Sequence, residues 1–296
     1  MSRHVVCSGE KAEFRPVSPG LTAWSIVDES VPGAVHTGFE VCELAPGHAV
    51  PSRVQSFEEC FYVLAGTPVV LTDAGATVLA PGDYGLIPVG EPHAWRNDTA
   101  DKPARWARML APQPRGRYGG DALAVPDLGG EVPSPVDVRD PRNRRYGHVE
   151  PANMDASRQS QQLLAVSASM RTALLVYSGI TVKMMVDSEL GARLTTMFMV
   201  QYAPDGVAGA HDHPFEETYL FLEGQAEAVF DGQRYRLGPG DAAFAGVGCV
   251  HGFRNAGDGP LRWLETQAPQ PPGRHSYRFV RDWDYLRLQL EGENHG

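Results

Sequence analysis

Two stretches of the chain decide its fold: GAHDHPFEETYLFLEGQ at 209–225 and GVGCVHGFRN at 246–255. Together they contain four candidate metal ligands, which are His211, His213, Glu217 and His251. Three imidazoles and one carboxylate are a suitable inner shell for a divalent transition metal. The first three of these positions share parity, so on an extended chain their side chains point to one face of a sheet.

The spacing of the ligands resembles the two sequence motifs of the cupin family. The pattern is H-x-H-x3-E-x6-G over 206–224, followed over 240–255 by a Gly-Asp turn and a single histidine before Arg-Asn. The resemblance implies a small antiparallel jelly-roll barrel that holds a metal on the four ligands. Glu217 is predicted rather than Glu216, because it fits the interval to Gly224 and the parity of the histidines. The alternative is a polar barrel interior without a metal.

The same pattern occurs twice in the chain. FEECFYVLAGTPVV at 57–70 matches FEETYLFLEGQAEA at 215–228, and the matched positions are 158 residues apart. The Pro-x-Arg-Trp segments that follow, at 103–106 and 260–263, match as well. A repeat this regular predicts two copies of one unit. The resemblance is therefore to bicupins, and the predicted fold class is all-β, with two cupin-type jelly-roll barrels in one chain.

The repeat and the segments between its copies predict three regions. An N-terminal barrel with a degenerate metal site is predicted over 1–117, and its first 20 residues form an arm that could add an edge strand. A linker is predicted over 118–160, with a short helix starting near 151 and capped by Asp155 or Ser157. A C-terminal metal-binding barrel with an aromatic tail is predicted over 161–296.

The first barrel lacks two of the metal ligands. Arg53 and Gln55 stand where the second barrel has its first two histidines, while Glu59 and His93 are retained. A fixed cation repels a divalent ion, so one divalent transition metal per chain is predicted, in the second barrel. We expect Arg53 to form an ion pair with Glu59. The alternative is that Arg53 binds a small anion.

Strand parity also predicts which residues surround the metal. Tyr219 and Phe221 share the parity of Glu217, and Phe253 shares that of His251. Tyr219 is the predicted catalytic acid or hydrogen-bond donor. The predicted substrate-binding residues are Met197, Met199, Gln201, Phe221 and Phe253. For each of these residues, an ordinary core position is the alternative.

Composition limits the class of protein. The chain has 296 residues, 42% of them apolar, and a net charge of −10, which makes nucleic acid an unsuitable partner. No segment is long and apolar enough to cross a membrane, and the N-terminus has no signal-peptide core. The four cysteines show no disulfide spacing, which suits the cytoplasm. A homodimer is expected, because jelly-roll edge strands need cover.

Three functions are compatible with these residues. The ligand set resembles that of quercetinase-like dioxygenases, which implies an O₂-dependent oxidoreductase acting on a small organic molecule. The first alternative is a metal-dependent non-oxidative enzyme, such as a ureidoglycine aminohydrolase-like hydrolase, an isomerase or a decarboxylase. The aminohydrolase motif has a different order of ligands. The second alternative is a non-enzymatic binding protein. The sequence does not distinguish Fe, Mn, Ni, Zn and Cu.

Overall fold

The structure is a computed structural model that describes residues 3–130, 132–158, 172–175 and 178–270, together with Leu288 and Glu291. These residues form β-strands joined by turns and short 3₁₀ helices, so the predicted all-β class is confirmed. The 3₁₀ helices are Gly9–Lys11, Gly116–Asp121, Pro141–Asn143, Pro151–Met154 and Ala156–Arg158. None of the described helices is long and apolar enough to cross a membrane.

The strands of the first half run from the N-terminus into the linker. They are β1 (His4–Cys7), β2 (Arg15–Ser18), β3 (Leu21–Val27), β4 (Gly38–Leu44), β5 (Ala49–Gln55), β6 (Glu58–Ala65), β7 (Val69–Thr72), β8 (Gly75–Val78), β9 (Asp83–Ile87), β10 (His93–Arg96), β11 (Ala104–Ala111), β12 (Ala122–Ala124), β13 (Ser134–Pro135) and β14 (Tyr146–His148).

The strands of the second half repeat this order. They are β15 (Thr172–Leu175), β16 (Ile180–Val186), β17 (Thr196–Tyr202), β18 (Val207–His211), β19 (Glu216–Glu223), β20 (Ala226–Phe230), β21 (Gln233–Leu237), β22 (Ala242–Ala245), β23 (His251–Asn255) and β24 (Leu261–Ala268).

Each half forms a barrel from a large and a small sheet. In the first barrel the orders are β14-β9-β6-β11-β4-β3-β2 and β12-β5-β10-β7-β8-β13. In the second they are β1-β22-β19-β24-β17-β16-β15 and β18-β23-β20-β21. Strand pairing is antiparallel throughout the described part, except for the short β13–β8 pair. Two jelly-roll barrels in one chain are therefore confirmed.

The two large sheets pack against each other, and this explains why their strands are apolar on both faces. One face of each sheet lines its own barrel, with Trp106 in the first barrel and Trp263 in the second. The opposite faces form a shared core between the barrels, to which Phe39 and Met109 contribute from the first and Phe244 from the second. The site therefore lies in a barrel that is supported on one side by the other barrel.

The predicted region boundaries need correction, because the arm and the linker both form barrel strands. In the arm, β1 pairs with β22 of the second barrel, with His4 opposite Ala245. In the linker, β12 and β14 pair with β5 and β9 of the first barrel. The arm thus covers the β22 edge of the large sheet of the second barrel, and the linker covers the equivalent β9 edge of the first barrel. The aromatic tail beyond 270 lies outside the described residues, apart from Leu288 and Glu291, and the homodimer stays a prediction.

The linker helix is shorter than predicted. The structure has 3₁₀ turns at Pro151–Met154 and Ala156–Arg158, and residues 159–163 lie outside the described part. At the first turn, the Asn153 side chain accepts a hydrogen bond from the Glu150 backbone N–H. At the second, Asp155 accepts from the backbone N–H of Ser157, as a capping residue does. Prolines and short polar side chains favour such turns over a longer helix.

Two buried glutamates join the barrels reciprocally. Glu58 of the first barrel accepts hydrogen bonds from the backbone N–H groups of residues 193–195, at 2.7–3.1 Å. Glu216, the equivalent residue of the second barrel, accepts from the N–H groups of residues 35–37, at 2.7–3.1 Å. Each carboxylate thus satisfies three backbone donors of the opposite barrel. We call these two contacts the carboxylate clamps.

Replacing Glu58 with alanine should destabilise the protein strongly. Each buried donor left without a partner costs about 1–3 kcal/mol, so a loss of at least about 3 kcal/mol is expected. Urea unfolding measures it. The control is Glu227→Ala, at an exposed position of β20, which should change the free energy of unfolding by less than about 0.5 kcal/mol. Equal stability of the two variants would contradict the role of the clamp.

Candidate metal centre

Three histidines converge at the mouth of the second barrel. His211 ends β18, His213 follows it, and His251 begins β23, where it lies opposite His211 in the strand register. The ring centroids of His211 and His251 are 4.4 Å apart, and those of His213 and His251 are 5.0 Å apart. One ring nitrogen of each histidine lies within 4.8 Å of the others, which is close enough for all three to bind one ion.

Backbone carbonyls fix the orientation of all three rings. The Nδ1 atoms of His211, His213 and His251 lie 2.8–3.0 Å from the carbonyl oxygens of Gly209, Phe215 and Cys249. A carbonyl only accepts, so each Nδ1 carries the hydrogen and donates. In the neutral rings, each Nε2 therefore presents its lone pair to the site. This is the tautomer that a metal-binding histidine needs.

Glu217 completes the cluster from the central strand β19. Its Oε2 atom lies 2.7 Å from Nε2 of His213 and 3.3 Å from Nε2 of His251. Burial opposes ionisation, but the protonated form of His213 and its hydrogen bond hold the pKa of Glu217 well below its usual range. Against burial, the same carboxylate raises the pKa of His213, so without a metal a proton lies between these two groups. Burial and the neighbouring His251 lower the pKa of His211 to about 4, which keeps that ring neutral. A carboxylate and imidazole nitrogens are thus directed at one point, where a cation satisfies them together.

Hydrogen bonds from neighbouring side chains hold Glu217 in place. Gln267 donates from Nε2 to Oε1 of Glu217 at 2.6 Å, and Thr196 donates to the Gln267 carbonyl at 3.3 Å. The hydroxyl of Tyr219 donates to Oε2 of Glu217. Burial and the adjacent carboxylate raise the pKa of Tyr219 far above its usual value, so the phenol keeps its proton. The structure therefore places the predicted acid in contact with a candidate ligand.

Glu265 is a second acid that sequence reasoning missed. It lies on β24 beside Glu217 and Tyr219, and Trp263 donates a hydrogen bond to it at 2.9 Å. Burial, and then the charge of Glu217, raise the pKa of Glu265 well above its usual range. Its position two residues after the Trp of the repeated Pro-x-Arg-Trp segment places it on the inner face. That signal could have identified it.

Aromatic rings form the wall behind the cluster. Tyr219, Phe221 and Phe253 belong to the interior core of the second barrel, together with Phe230 and Trp263. The ring of Phe253 lies 4.9 Å from that of Tyr219 and 5.1 Å from that of Trp263, centroid to centroid. The predicted positions of Phe221 and Phe253 thus face the interior of the barrel that contains the candidate ligands.

The other predicted wall residues face away, and this part of the prediction is wrong. Met197 and Met199 lie in the core between the barrels. Gln201 donates to the backbone carbonyl of Met154 and accepts from Arg262, also outside the barrel. The cause is the strand register: Phe198 of β17 lies opposite the inward-facing Glu265. Successive side chains alternate, so the even-numbered residues of β17 face inward.

The equivalent site of the first barrel is held together by arginines. The predicted ion pair between Arg53 and Glu59 is wrong, because Arg53 donates from Nε to Nε2 of His93 at 3.4 Å. Glu59 instead pairs with Arg108, whose Nη1 lies 3.3 Å from Oε2. Arg108 also binds Glu40. Against the effect of burial, Arg108 lowers the pKa of Glu59 and keeps it ionised.

Arg108 and Glu265 occupy equivalent positions, since each lies two residues after the Trp of its Pro-x-Arg-Trp segment. In the first barrel this position supplies a positive charge to the buried Glu59. In the second it supplies a carboxyl group beside the buried Glu217. Two protein cations thus stand in the first barrel where the second has one histidine, His211, and a further acid. Only the second barrel lacks a fixed positive charge among the described residues that contact its glutamate.

Sequence comparison identifies two domains of one type. The family model described as Cupin domain matches residues 40–110 and 198–266. A curated relative is the tetracenomycin polyketide synthase protein TcmJ of Streptomyces glaucescens, which is 28% identical over 122 residues. That match covers 40% of this chain and 82% of the relative.

Structure comparison agrees with the sequence match. The formate complex of Lactobacillus farciminis oxalate decarboxylase has a TM-score of 0.63 and 16% identity, over 98% of this chain and 92% of its own. A single-substitution mutant of Bacillus subtilis oxalate decarboxylase OxdC has a TM-score of 0.61 and 14% identity, over 97% and 83%. At such low identity these similarities support the double-barrel fold and leave the activity open.

Replacing Arg108 with methionine should lower the free energy of unfolding of the first barrel, because Glu59 and Glu40 lose their shared partner. Breaking a buried ion pair on one side costs about 3–5 kcal/mol. Urea unfolding of the chelator-treated protein measures this loss. Arg105→Met is the matched control: its exposed pair with Glu43 should be worth about 0–1 kcal/mol. A loss below about 1 kcal/mol in Arg108→Met would contradict the pairing.

Proposed function

We propose that this chain, a bicupin of the cupin family, is a metal-dependent enzyme that oxidises a small organic molecule with O₂ in its second barrel. The observation that supports this best is the orientation of the three histidines. Their Nδ1 atoms donate to backbone carbonyls, so their Nε2 lone pairs meet beside the Glu217 carboxylate. Such groups directed at one point repel one another unless a cation lies between them. A proton on His213 fills this role against Glu217 when no metal is bound, and a metal ion would replace it.

The residues present fit one divalent transition metal. His211, His213, Glu217 and His251 would hold it, and such a set leaves coordination positions open for a substrate. When bound, the ion would supply Lewis acidity and, if it is redox-active, activation of O₂. The donor set does not select among Fe, Mn, Ni, Zn and Cu.

An aromatic substrate with neighbouring oxygen donors suits the second barrel better than a small dianion. The inner wall is built from Phe221, Phe230, Phe253 and Trp263. No lysine or arginine is found among the described residues that contact the four ligands, so none of these residues would neutralise a second substrate charge. The curated relative is named as a polyketide synthase protein. We therefore favour an enol- or phenol-bearing polyketide as the substrate class.

The protein groups around the ligands hold and transfer protons. Tyr219 keeps its phenolic proton and directs it at Oε2 of Glu217, and Glu265 keeps a carboxyl proton nearby. Either group could donate a proton to a substrate oxygen or carbon as charge develops there. Gln267 and Thr196 fix the opposite edge of Glu217. The aromatic wall excludes water from this side of the site.

A non-oxidative reaction is the second candidate, and Glu265 favours it. A buried carboxylic acid that keeps its proton is what a decarboxylase or isomerase needs in order to protonate a substrate carbon. The similarity in fold to oxalate decarboxylases is compatible with this alternative but does not select it. A hydrolase and a non-enzymatic binding protein are further alternatives.

Oxygen dependence separates the two candidates. A panel of aromatic substrates with adjacent hydroxyl and keto oxygens is incubated with metal-loaded protein under air and under argon. We expect O₂ uptake stoichiometric with substrate loss in air, and no loss under argon. His251→Ala, loaded in the same way, is the inactive control. Turnover or CO₂ release under argon would favour the non-oxidative candidate, and no turnover would favour a binding protein.

Metal analysis should return one equivalent per chain. The first barrel already neutralises Glu59 with Arg108, whereas the second barrel offers four converging acceptors. His211→Ala and His251→Ala should each lower the metal content below about 0.2 equivalents, measured by plasma mass spectrometry after dialysis. Glu59→Gln should leave it near one. Two equivalents, or a loss of metal in Glu59→Gln, would contradict a single site in the second barrel.

Gln267→Leu should weaken metal binding while leaving the four ligands in place. Loss of a hydrogen bond that orients a metal ligand typically costs about 10–100-fold in metal affinity. Competition against a fluorescent chelator measures the dissociation constant. Thr196→Val, one bond further out, should cost less, and Gln233→Ala on exposed β21 is the control. Wild-type affinity in Gln267→Leu would show that this bond does not orient Glu217.

A further inference from the structure

The first barrel contains buried acceptors that no group of the described protein uses. These are Oε1 of Gln55 and Oε1 of Glu59. Both side chains are almost fully buried, at 3% and 0% exposure. An unsatisfied buried polar atom costs about 1–3 kcal/mol, so two of them on side chains that contact each other indicate a partner outside the described residues.

Arg53 presents unused donors to the same place. Its Nε donates to His93, but its two Nη groups make no hydrogen bond to a described residue. No carboxylate of the described part lies within 4.0 Å of it, since Glu59 pairs with Arg108 instead. The other ring nitrogen of His93, Nδ1, donates a hydrogen bond to the Glu91 carbonyl oxygen at 3.0 Å, which leaves Nε2 as the acceptor for Arg53. The guanidinium is thus held by its Nε edge, and its Nη edge can donate to a ligand.

These groups lie where the second barrel has its candidate metal ligands. Arg53 on β5 is opposite His93 on β10, as His211 is opposite His251. Gln55 donates to Glu59 at 3.4 Å across the same position. Arg53 is only partly buried, so the site communicates with solvent at the barrel mouth. The cluster therefore lies at the mouth of the barrel, is open to solvent, and offers both hydrogen-bond donors and hydrogen-bond acceptors.

We propose that the first barrel binds a small α-hydroxycarboxylate of two or three carbons without a metal. The free Nη edge of Arg53 matches a carboxylate, which it can bind with two parallel hydrogen bonds. The hydroxyl next to that carboxylate donates to Oε1 of Gln55 or Glu59. A carboxylate without a hydroxyl leaves both acceptors unused, and a dianion places its second charge against Glu59. This site is separate from the proposed oxidation and does not depend on it.

Calorimetric titration of chelator-treated protein with glycolate tests the proposal, since no metal then remains in the second barrel. We expect one site per chain and tighter binding of glycolate than of acetate or oxalate. Arg53→Gln should weaken glycolate binding at least about 10-fold, and Arg53→Lys, which keeps the charge but not the fork, should weaken it less. Gln55→Leu should reduce the preference for glycolate over acetate.

The control variant is Arg105→Gln, whose exposed side chain lies outside the barrel and should leave glycolate binding unchanged. Circular dichroism verifies that every variant is folded. Saturable binding that Arg53→Gln loses and Arg105→Gln keeps would support the site. No saturable binding by the wild type, equal affinity in Arg53→Gln, or acetate binding as tightly as glycolate would overturn it. The first of these results would mean that the cluster holds only water, the second that glycolate binds elsewhere, and the third that the hydroxyl is not recognised.

Discussion

Buried negative charge on the two central strands is the constraint on which the rest of the structure depends. Each strand carries two adjacent glutamates, Glu58 and Glu59 on β6, and Glu216 and Glu217 on β19. Adjacent residues of a strand point to opposite faces, so one glutamate enters its own barrel and the other faces the neighbouring barrel. A buried carboxylate must be paired or fully hydrogen-bonded. The doublet therefore determines both how the barrels join and what each interior must contain.

The two glutamates that face the neighbouring barrel have the same kind of hydrogen-bond partners, whereas the two that face their own barrel interior have different ones. Glu58 and Glu216, the first residues of β6 and β19, each accept hydrogen bonds from three backbone N–H groups of the other barrel. Inside the barrels, Glu59 pairs with Arg108, whereas the described residues that contact Glu217 are two histidines, a tyrosine and a glutamine. Permanent charges suit a fixed structure. Neutral imidazoles and a carboxylate suit an exchangeable cation, because they accept it without carrying a competing charge.

The fold and the ligand set could be predicted from the sequence because both depend on short-range pattern. The repeat of 158 residues predicts two barrels, and the parity of His211, His213 and Glu217 predicts one face. The wall on β17 could not be predicted in this way. No charged or ligand residue marks which face of TTMFMVQY is inner, and both faces are apolar because the second barrel packs on the first. Parity leaves either the odd-numbered or the even-numbered residues of such a strand facing inward, and only the pairing with β24 selects the even-numbered ones.

Arg108 shows a different limit. Its charge is visible in the sequence, but it lies 49 residues from Glu59, while Arg53 lies only six residues away in the same motif. Arg53 was the predicted partner because it occupies the position of the ligand His211, but β6 pairs with β11, which carries Arg108. The second barrel has Glu265 at the equivalent place. The equivalent position thus carries a cation in the first barrel and an acid in the second. The interior of the first barrel is neutralised by its own side chains, whereas that of the second requires a metal or a proton. This exchange of counter-charge, together with the replacement of His211 and His213 by Arg53 and Gln55, distinguishes two barrels that are built from equivalent strands.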